Sequence, residues 1–251
     1  MKEKGIKMSN FKVGIQLYTV REPLKQDFEG TLKKLSEMGI KGVELAFFYG
    51  ELEPDALATL MKKLDMEVCG IYERFDNICN PDSKVYEYAK ALGCKYLTCG
   101  LGLQDFRDDF AGCVAKFKKA CEVASSKGMI VCYHAHSHEF EKIDGKYIMD
   151  KILAEVPAMA FEADTAWIKC GGADPAGYIK KHLSRIPLVH FKDVKADNKI
   201  TELGNGVVDF PAVLKVIRGS KVGWVSYEQD STDLTPLEST KISMDYLKSI
   251  L

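Results

Sequence analysis

The sequence predicts an α/β protein folded as one (β/α)8 TIM barrel. Eight short runs rich in Val, Ile, Tyr and Cys, a composition typical of buried parallel strands, alternate with longer amphipathic segments. The last residues of neighbouring runs lie 25 to 37 positions apart, which is room for one strand, one helix and two short loops. A length of 251 residues matches the usual size of such a barrel.

The predicted strands cover residues 12–17, 41–46, 67–71, 95–99, 129–134, 158–163, 186–191 and 223–228. Nothing in the composition marks an internal domain boundary, so we expect a single barrel over residues 11–251 preceded by an extension over residues 1–10. A doubly wound sheet is the alternative fold. The even spacing, and the lack of a GxGxxG motif after the first run, disfavour it.

Helical spacing of apolar residues predicts helices over segments that include 27–38 and 107–127. Gly39, Gly93 and Gly128 each follow a helical segment and precede a strand, the position of a glycine that ends a helix. His182 falls on a helix and is expected to be exposed.

Composition excludes several classes of protein. With 35 basic and 36 acidic side chains the net charge is −1, which argues against a nucleic-acid partner. The eight cysteines include no CxxC pair, so we expect buried reduced thiols and a cytoplasmic protein. No apolar run approaches the ~18 residues of a membrane helix, so no membrane partner is expected.

Polar residues gather at the carboxyl ends of the predicted strands, where TIM barrels place their active sites. Such residues occupy segments 16–21, 134–139, 162–165, 190–193 and 228–230, together with Glu44 near the end of the second strand. The sequence therefore predicts a functional site at this rim.

A divalent-metal site is predicted from four of these residues. Glu139, Asp164, His190 and Glu228 are separated by 25, 26 and 38 positions, each about one βα unit, so they would share the rim. Three carboxylates and one imidazole can bind Mn²⁺, Mg²⁺, Co²⁺ or Zn²⁺ and leave positions for a substrate. The alternative is a set of separate ion pairs with Lys192, Arg185 or Arg21.

Five segments together resemble the sugar phosphate isomerase/epimerase family of xylose-isomerase-like TIM barrels. They are GIQLYTVR (14–21), YHAHSHEF (133–140), DTAW (164–167), HFKD (190–193) and YEQD (227–230), and they occur in family order. The resemblance implies a metal held by Glu139, Asp164, His190 and Glu228. Ala135 departs from the asparagine that is usual in this family, and Glu141 competes with Glu139 for the first ligand position.

Strand parity assigns further roles at the rim. Side chains two residues apart share a face of a strand, so we expect His136 and Lys192 to point into the pocket as catalytic residues beside the metal. His138 is expected to be a loop residue without a catalytic role. The expected substrate-binding residues are Gln16, Tyr18, Glu44, Trp167 and His134, with Tyr72, Glu73 and Arg74 as further candidates.

The predicted function is a sugar isomerase or epimerase that removes a proton next to a carbonyl, with Glu139 and Glu228 as base and acid. The alternative is a dehydratase or lyase acting on a keto-sugar or inosose-like polyol. An abasic-site endonuclease and a non-catalytic sugar-binding barrel are weaker candidates.

Loops after strands seven and eight hold one lysine against four acids, so we expect a non-phosphorylated small-molecule sugar, although Gly204 and Gly206 offer backbone N–H groups. A homo-oligomer is compatible with the sequence.

Overall fold

The structure, a computed structural model, describes residues 11–251, and these form a closed eight-stranded barrel. The barrel strands, numbered 1 to 8 in chain order, are parallel, and each pairs with the next along the chain. Strand 8 pairs with strand 1 and closes the ring. The predicted (β/α)8 fold is confirmed, while the extension expected at residues 1–10 lies outside the described residues.

The observed strands overlap all eight predicted runs. They span Lys12–Gln16, Gly42–Ala46, Glu67–Tyr72, Tyr96–Cys99, Ile130–His134, Ala160–Asp164, Leu188–Phe191 and Trp224–Tyr227. Two small antiparallel ribbons stand in loops that follow strands 5 and 7. They pair Lys142–Ile143 with Lys146–Tyr147, and Asp193–Val194 with Ile200–Thr201.

Helices surround the barrel. In chain order, α1 to α11 span Arg21–Gln26, Phe28–Glu37, Pro54–Lys63, Phe75–Cys79, Val85–Ala91, Leu103–Ser126, Ile148–Glu155, Thr165–Cys170, Pro175–His182, Phe210–Ile217 and Pro236–Ile250. Single 3-10 turns cover Leu17–Val20, His138–Phe140 and Leu183–Arg185. The long helix α6 is bent at Asp109, which has φ −152° and whose carboxylate accepts a hydrogen bond from the Gly112 N–H.

Local sequence signals begin and end many of these helices. Asp27, Asp174 and Asp209 cap α2, α9 and α10 by accepting hydrogen bonds from backbone N–H groups of the first turn. The three predicted glycines after α2, α5 and α6 have φ of 84°, 64° and 77°, as a left-handed helix end requires. The helices are therefore bounded by local chemistry, and their apolar faces pack on the barrel.

The barrel interior becomes polar toward the carboxyl ends of the strands. In the register of strands 6, 7 and 8, Asp164 lies beside His190 and His190 lies beside Ser226. In the neighbouring pair, His134 lies beside Glu162. All five side chains are buried, so the fold itself concentrates ionisable groups in one low-dielectric space.

The structure also bears on the expectations about the cysteines, His182 and membrane-spanning helices. All eight cysteines are free thiols, six of them buried, as predicted. The expectation that His182 is exposed is wrong, because it is half-buried with its Nε2 2.8 Å from Asp150 Oδ1. Across residues 11–251, none of the helices combines the length and hydropathy needed to cross a membrane.

Candidate metal and active site

Four buried side chains at the ends of strands 5 to 8 bring their donor atoms together. His134, Asp164, His190 and Glu228 each place one nitrogen or oxygen within 4.8 Å of the others. His190 Nδ1 lies 2.7 Å from Glu228 Oε2, and His134 Nε2 lies 4.0 Å from the same oxygen. Two nitrogens and two carboxylate oxygens are thus directed at one small volume.

Two further carboxylates orient the histidines from the opposite side. Glu162 Oε2 lies 2.9 Å from His134 Nδ1, and Glu44 Oε2 lies 2.6 Å from His190 Nε2. Thr98 Oγ1 donates a hydrogen bond of 3.1 Å to the other oxygen of Glu162. Each imidazole therefore faces a carboxylate with one nitrogen, which leaves its other nitrogen for the central group.

A buried ammonium group neutralises the acids on the other side of the group. Lys192 Nζ lies 3.3 Å from Asp164 Oδ2, 3.0 Å from Glu228 Oε2 and 2.8 Å from Asp230 Oδ2. It also stands 4.7 Å from the ring centroid of Trp167. Burial lowers the pKa of Lys192, but these three carboxylates outweigh burial and raise its pKa above the ordinary value. Lys192 is therefore a permanent cation in the site.

The same charges control the other titratable groups. Burial raises the pKa of Glu228, but the positive charges of Lys192 and His190 hold its pKa well below the ordinary value. Burial and the charge of Glu162 raise the pKa of Glu44 to about 7. Burial lowers the pKa of His190, but the surrounding glutamates outweigh it and raise the pKa well above the usual range. The site is electrostatically coupled throughout.

The structure places Glu139, predicted as a member of this group, in a separate cluster, and it places His134 within the group. Both oxygens of Glu139 are engaged nearby: Oε1 accepts from the Tyr133 hydroxyl at 2.5 Å, and Oε2 accepts from the His136 N–H at 2.8 Å. His138 Nε2 lies 3.0 Å from Oε1. The 3-10 turn that follows strand 5 turns Glu139 toward its own loop, so it forms a separate cluster with His136 and His138.

Glu141, the competing candidate, lies on the surface. Its Oε2 pairs with Arg107 Nη2 at 2.7 Å, and both side chains are about half exposed. An exposed ion pair of this kind contributes little to stability and does not contact the buried group. Neither candidate after strand 5 therefore reaches the four-residue group.

His136 lies beside the four-residue group and close to Trp167. Its ring centroid is 5.0 Å from that of His134 and 5.6 Å from that of Trp167. Its Nδ1 is buried and makes no hydrogen bond to any residue from 11 to 251. Burial and the charge of His134 lower the pKa of His136 to about 4, so the imidazole is neutral at pH 7.

The expected substrate-binding residues separate into different environments. Gln16 is buried and caps the turn after strand 1, since its Oε1 accepts from the Tyr18 N–H at 2.5 Å. Tyr18 is exposed under Arg21, whose guanidinium carbon stands 4.1 Å from the ring centroid. Trp167 flanks Lys192, whereas Glu44 and His134 belong to the buried network. Of these five, Tyr18 and Trp167 remain available to line a pocket.

The further candidates after strand 3 also differ among themselves. Glu73 is occupied by hydrogen bonds from the Tyr49 hydroxyl, the Arg74 N–H and Asn77 Nδ2, so it organises its own loop. Tyr72, in contrast, packs edge-on against His134 with ring centroids 5.7 Å apart.

The sequence placed Glu162 and Asp230 at the predicted rim but assigned neither residue a role there. Glu162 stands two positions before Asp164 on strand 6, so the same strand parity that favoured His136 would have placed it inside the barrel. Asp230 directly follows the YEQ segment of strand 8, but its contact with Lys192 depends on the loop path and has no local signal.

Loops after strands 7 and 8 are held by carboxylates. Asp193 accepts hydrogen bonds from the N–H groups of Gly204, Gly206, Val208 and Val194 at 2.9 to 3.2 Å. Glu202 joins the two loops, because one oxygen accepts from Thr232 Oγ1 at 2.8 Å, Ser239 Oγ at 2.9 Å and Gln229 Nε2 at 3.2 Å. These two acids fix the rim on the side of strands 7 and 8.

A model of the xylose isomerase-like TIM barrel family matches residues 32–250, and the chain belongs to this family. Among curated proteins, an inosose dehydratase from Geobacillus kaustophilus is 23% identical over 269 aligned positions, covering 88% of this chain and 86% of that relative.

Solved structures share the fold along almost the whole chain. A sugar phosphate isomerase/epimerase from Parabacteroides distasonis has a TM-score of 0.78 at 18% identity, covering 99% of this chain and 98% of that one. A probable 3-DHS dehydratase, AsbF of Bacillus anthracis, has a TM-score of 0.79 at 16% identity, covering 95% and 99%. An IolI protein with a bound zinc atom has a TM-score of 0.73 at 15% identity, covering 96% and 98%. At these identities the structural likeness establishes the fold.

The Glu202 network gives a pH-dependent stability that can be measured. Burial raises the pKa of Glu202, but its hydrogen bonds outweigh burial and lower the pKa to about 2. Its contribution is therefore present above about pH 4.5 and is lost as the pH falls toward 2. Glu202→Gln should lower the unfolding free energy at pH 7 by about 1–3 kcal/mol, and its difference from wild type should shrink between pH 5 and pH 2 in urea denaturation.

Glu155→Gln, a change at an exposed position of α7, is the matched control and should alter the unfolding free energy little. A Glu202→Gln deficit that stays constant down to pH 2 would contradict the assignment.

Proposed function

We propose that this chain is a divalent-metal-dependent enzyme that isomerises or epimerises a non-phosphorylated keto- or aldo-sugar by removing a proton next to its carbonyl. One observation carries the proposal. The buried side chains of His134, Asp164, His190 and Glu228 bring four donor atoms within 4.8 Å of one another. The lysine beside the two acids of this group, Lys192, is shared with Asp230, so a divalent cation would lower the cost of burying these carboxylates.

The donor set fits a metal ion. Two imidazole nitrogens and two carboxylate oxygens suit Zn²⁺, Mn²⁺ or Co²⁺, and the carboxylates Glu162 and Glu44 behind the histidines match the usual surroundings of metal-bound imidazoles. We therefore propose His134, Asp164, His190 and Glu228 as ligands, with His134 in the place predicted for Glu139. A divalent cation bound there supplies positive charge beside a sugar carbonyl oxygen and so acidifies the adjacent C–H bond.

His136 is suited to accept a proton, and Lys192 is suited to stabilise negative charge. His136 is neutral at pH 7, and its buried Nδ1 is free to accept a proton from carbon. Lys192 is a fixed cation that can donate a hydrogen bond to a developing oxyanion. Glu139 then acts as a positioning residue, because it holds the backbone N–H of His136. This assignment replaces the predicted acid–base pair of Glu139 and Glu228.

Asp193 supports a non-phosphorylated substrate. TIM barrels commonly bind phosphate with backbone N–H groups in the loops after strands 7 and 8. In this chain the N–H groups of Gly204 and Gly206 already donate to Asp193 Oδ2, both at 2.9 Å. A phosphate at that position would meet a carboxylate and lack these donors, so the substrate contributes no such group there.

Dehydration is a second candidate reaction, favoured by the dehydratase names of the relative from Geobacillus kaustophilus and of AsbF. It begins with the same proton removal next to a carbonyl. The two reactions differ in their second step: the proton returns to carbon in an isomerase or epimerase, whereas a hydroxyl group leaves from the β carbon in a dehydratase. The leaving hydroxyl would depart as water with the proton that the base removed from carbon, while Lys192 stays charged and can donate a hydrogen bond to that oxygen.

The proposed function is tested by NMR of keto- and aldo-sugars and inososes with the metal-loaded protein in D₂O. We expect deuterium to enter one carbon next to the carbonyl, and the exchange to stop when a chelator removes the metal. His136→Gln should slow exchange by about 100- to 10,000-fold, the usual contribution of a general base.

Glu141→Gln is the matched control on the same segment, since Glu141 pairs with Arg107 on the surface, and it should change the exchange rate by less than about tenfold. Exchange that continues in the metal-free protein would contradict the metal's role. Equal rates in His136→Gln and wild type would remove His136 as the base.

The carboxylates behind the histidines give a separate prediction on metal affinity. Glu44→Gln and Glu162→Gln should each weaken Mn²⁺ or Zn²⁺ binding by about 10- to 100-fold, because an amide orients a metal-bound imidazole less well than a carboxylate. Competition with a coloured chelator measures the change. Glu155→Gln, at an exposed position of α7, is the control and should bind metal as wild type does; unchanged affinity in both buried variants would refute the assigned arrangement.

A further inference from the structure

Phe47, just after strand 2, combines two unfavourable features. Its φ is 59°, and the Phe48 N–H donates to the Ala46 carbonyl at 2.7 Å, so Phe47 is the central residue of the strained γ-turn with positive φ. Bulky side chains rarely adopt this backbone. Its side chain is also 47% exposed, the largest exposure among the described large hydrophobic residues. Glycine or asparagine would fit the turn better, and either would remove the exposed ring.

The backbone holds this ring firmly in place. The Phe47 N–H donates to the Tyr72 carbonyl at 3.2 Å, and the next residue, Phe48, packs edge-on against Phe28 with centroids 5.5 Å apart. Strain that is maintained by its surroundings at the rim of an active site is a reason to look for a role of the side chain.

A row of aromatic rings connects Phe47 to the proposed metal site. The ring centroid of Phe47 lies 5.1 Å from that of Tyr72, and Tyr72 lies 5.7 Å from His134. Phe47 is thus one ring farther from the metal ligands than Tyr72. A substrate group that contacts Phe47 would therefore belong to a different part of the substrate from the carbon that reacts beside the metal ligands.

Phe47 and Tyr18 line a single cavity of about 390 Å³ at the ends of strands 1 and 2. Besides these two aromatic residues, its lining consists of the apolar residues Leu17, Leu24, Ala46 and Phe48 and the charged residues Arg21, Glu22 and Lys25. Arg21 connects this cavity to the catalytic side, because its Nη2 donates at 3.0 Å to the carbonyl of Asp230, whose carboxylate pairs with Lys192. The volume falls within the range of small-molecule pockets.

We propose that Tyr18 and Phe47 form a second substrate subsite that binds an apolar ring attached to the reacting sugar. The preferred substrates are therefore glycosides whose reacting sugar carries a ketone on a ring carbon and whose second unit contains a ring, rather than free monosaccharides. This inference rests on the proposed function and specifies its substrate class. Exposed aromatic faces match the C–H face of a sugar or the face of an aromatic ring.

The test compares binding of methyl and phenyl β-D-glucopyranoside, galactopyranoside and xylopyranoside to the metal-loaded protein by calorimetric titration. For at least one sugar, wild type should bind the phenyl glycoside about 3- to 10-fold tighter than the methyl glycoside. Phe47→Asn should reduce that ratio to about one, whereas Phe47→Tyr should retain it.

Glu51→Asn is the matched control, because Glu51 lies in the same loop with φ of 58° and is exposed. It should relieve similar strain and leave the phenyl preference unchanged. The thermal midpoint of Phe47→Asn should equal or exceed that of wild type, since a structural role would instead make this variant less stable.

Equal binding of both glycosides of every sugar, or a phenyl preference that survives in Phe47→Asn, would overturn the subsite. A wild-type dimer that Phe47→Asn dissociates, together with equal glycoside binding, would assign Phe47 to a contact between copies and overturn it too. Because binding is measured without turnover, these results are independent of deuterium exchange, which alone decides the proposed reaction.

Discussion

The constraint on which the site depends is the burial of several carboxylates together with two histidines and one lysine. Glu44, Glu162, Asp164 and Glu228 are buried at the carboxyl ends of the strands, with the ammonium group of Lys192 among them. Removing an ionised carboxylate from water costs several kcal/mol, of order 20 in the idealised limit. Two histidines share part of this charge, and a divalent cation would complete the compensation. A cation bound at the proposed metal site would thus balance the carboxylates that are buried in the barrel interior.

This constraint also explains how the residues divide their roles. Glu44 and Glu162 face the histidines, Asp164 and Glu228 face the central volume, and Lys192 links these two to Asp230. Around this centre the rim is asymmetric. The side of strands 7 and 8 is tied by Asp193 and Glu202, whereas the side of strands 1 and 2 presents exposed aromatic rings. The two sides of the rim therefore differ in the side chains that they expose.

The fold was predictable because its signals are local: short apolar runs, helical periodicity, and helix-ending glycines at regular intervals. Asp164, His190 and Glu228 were predictable because each stands at or beside a strand end, one βα unit from the next. The position of Glu139 was not, because the turn after strand 5 decides where its side chain points. The contact between Glu44 and His190 joins residues 146 positions apart across the barrel, and no local pattern reports it.

The most direct test of the metal site is a crystal structure of the protein grown with Mn²⁺ or Zn²⁺, with anomalous diffraction measured at the absorption edge of the metal. The arrangement of these side chains predicts one strong anomalous peak enclosed by His134, Asp164, His190 and Glu228, with Glu139 still bonded to Tyr133 and His136. A peak beside Glu139, His136 and His138 instead, or no peak at saturating metal, would contradict it.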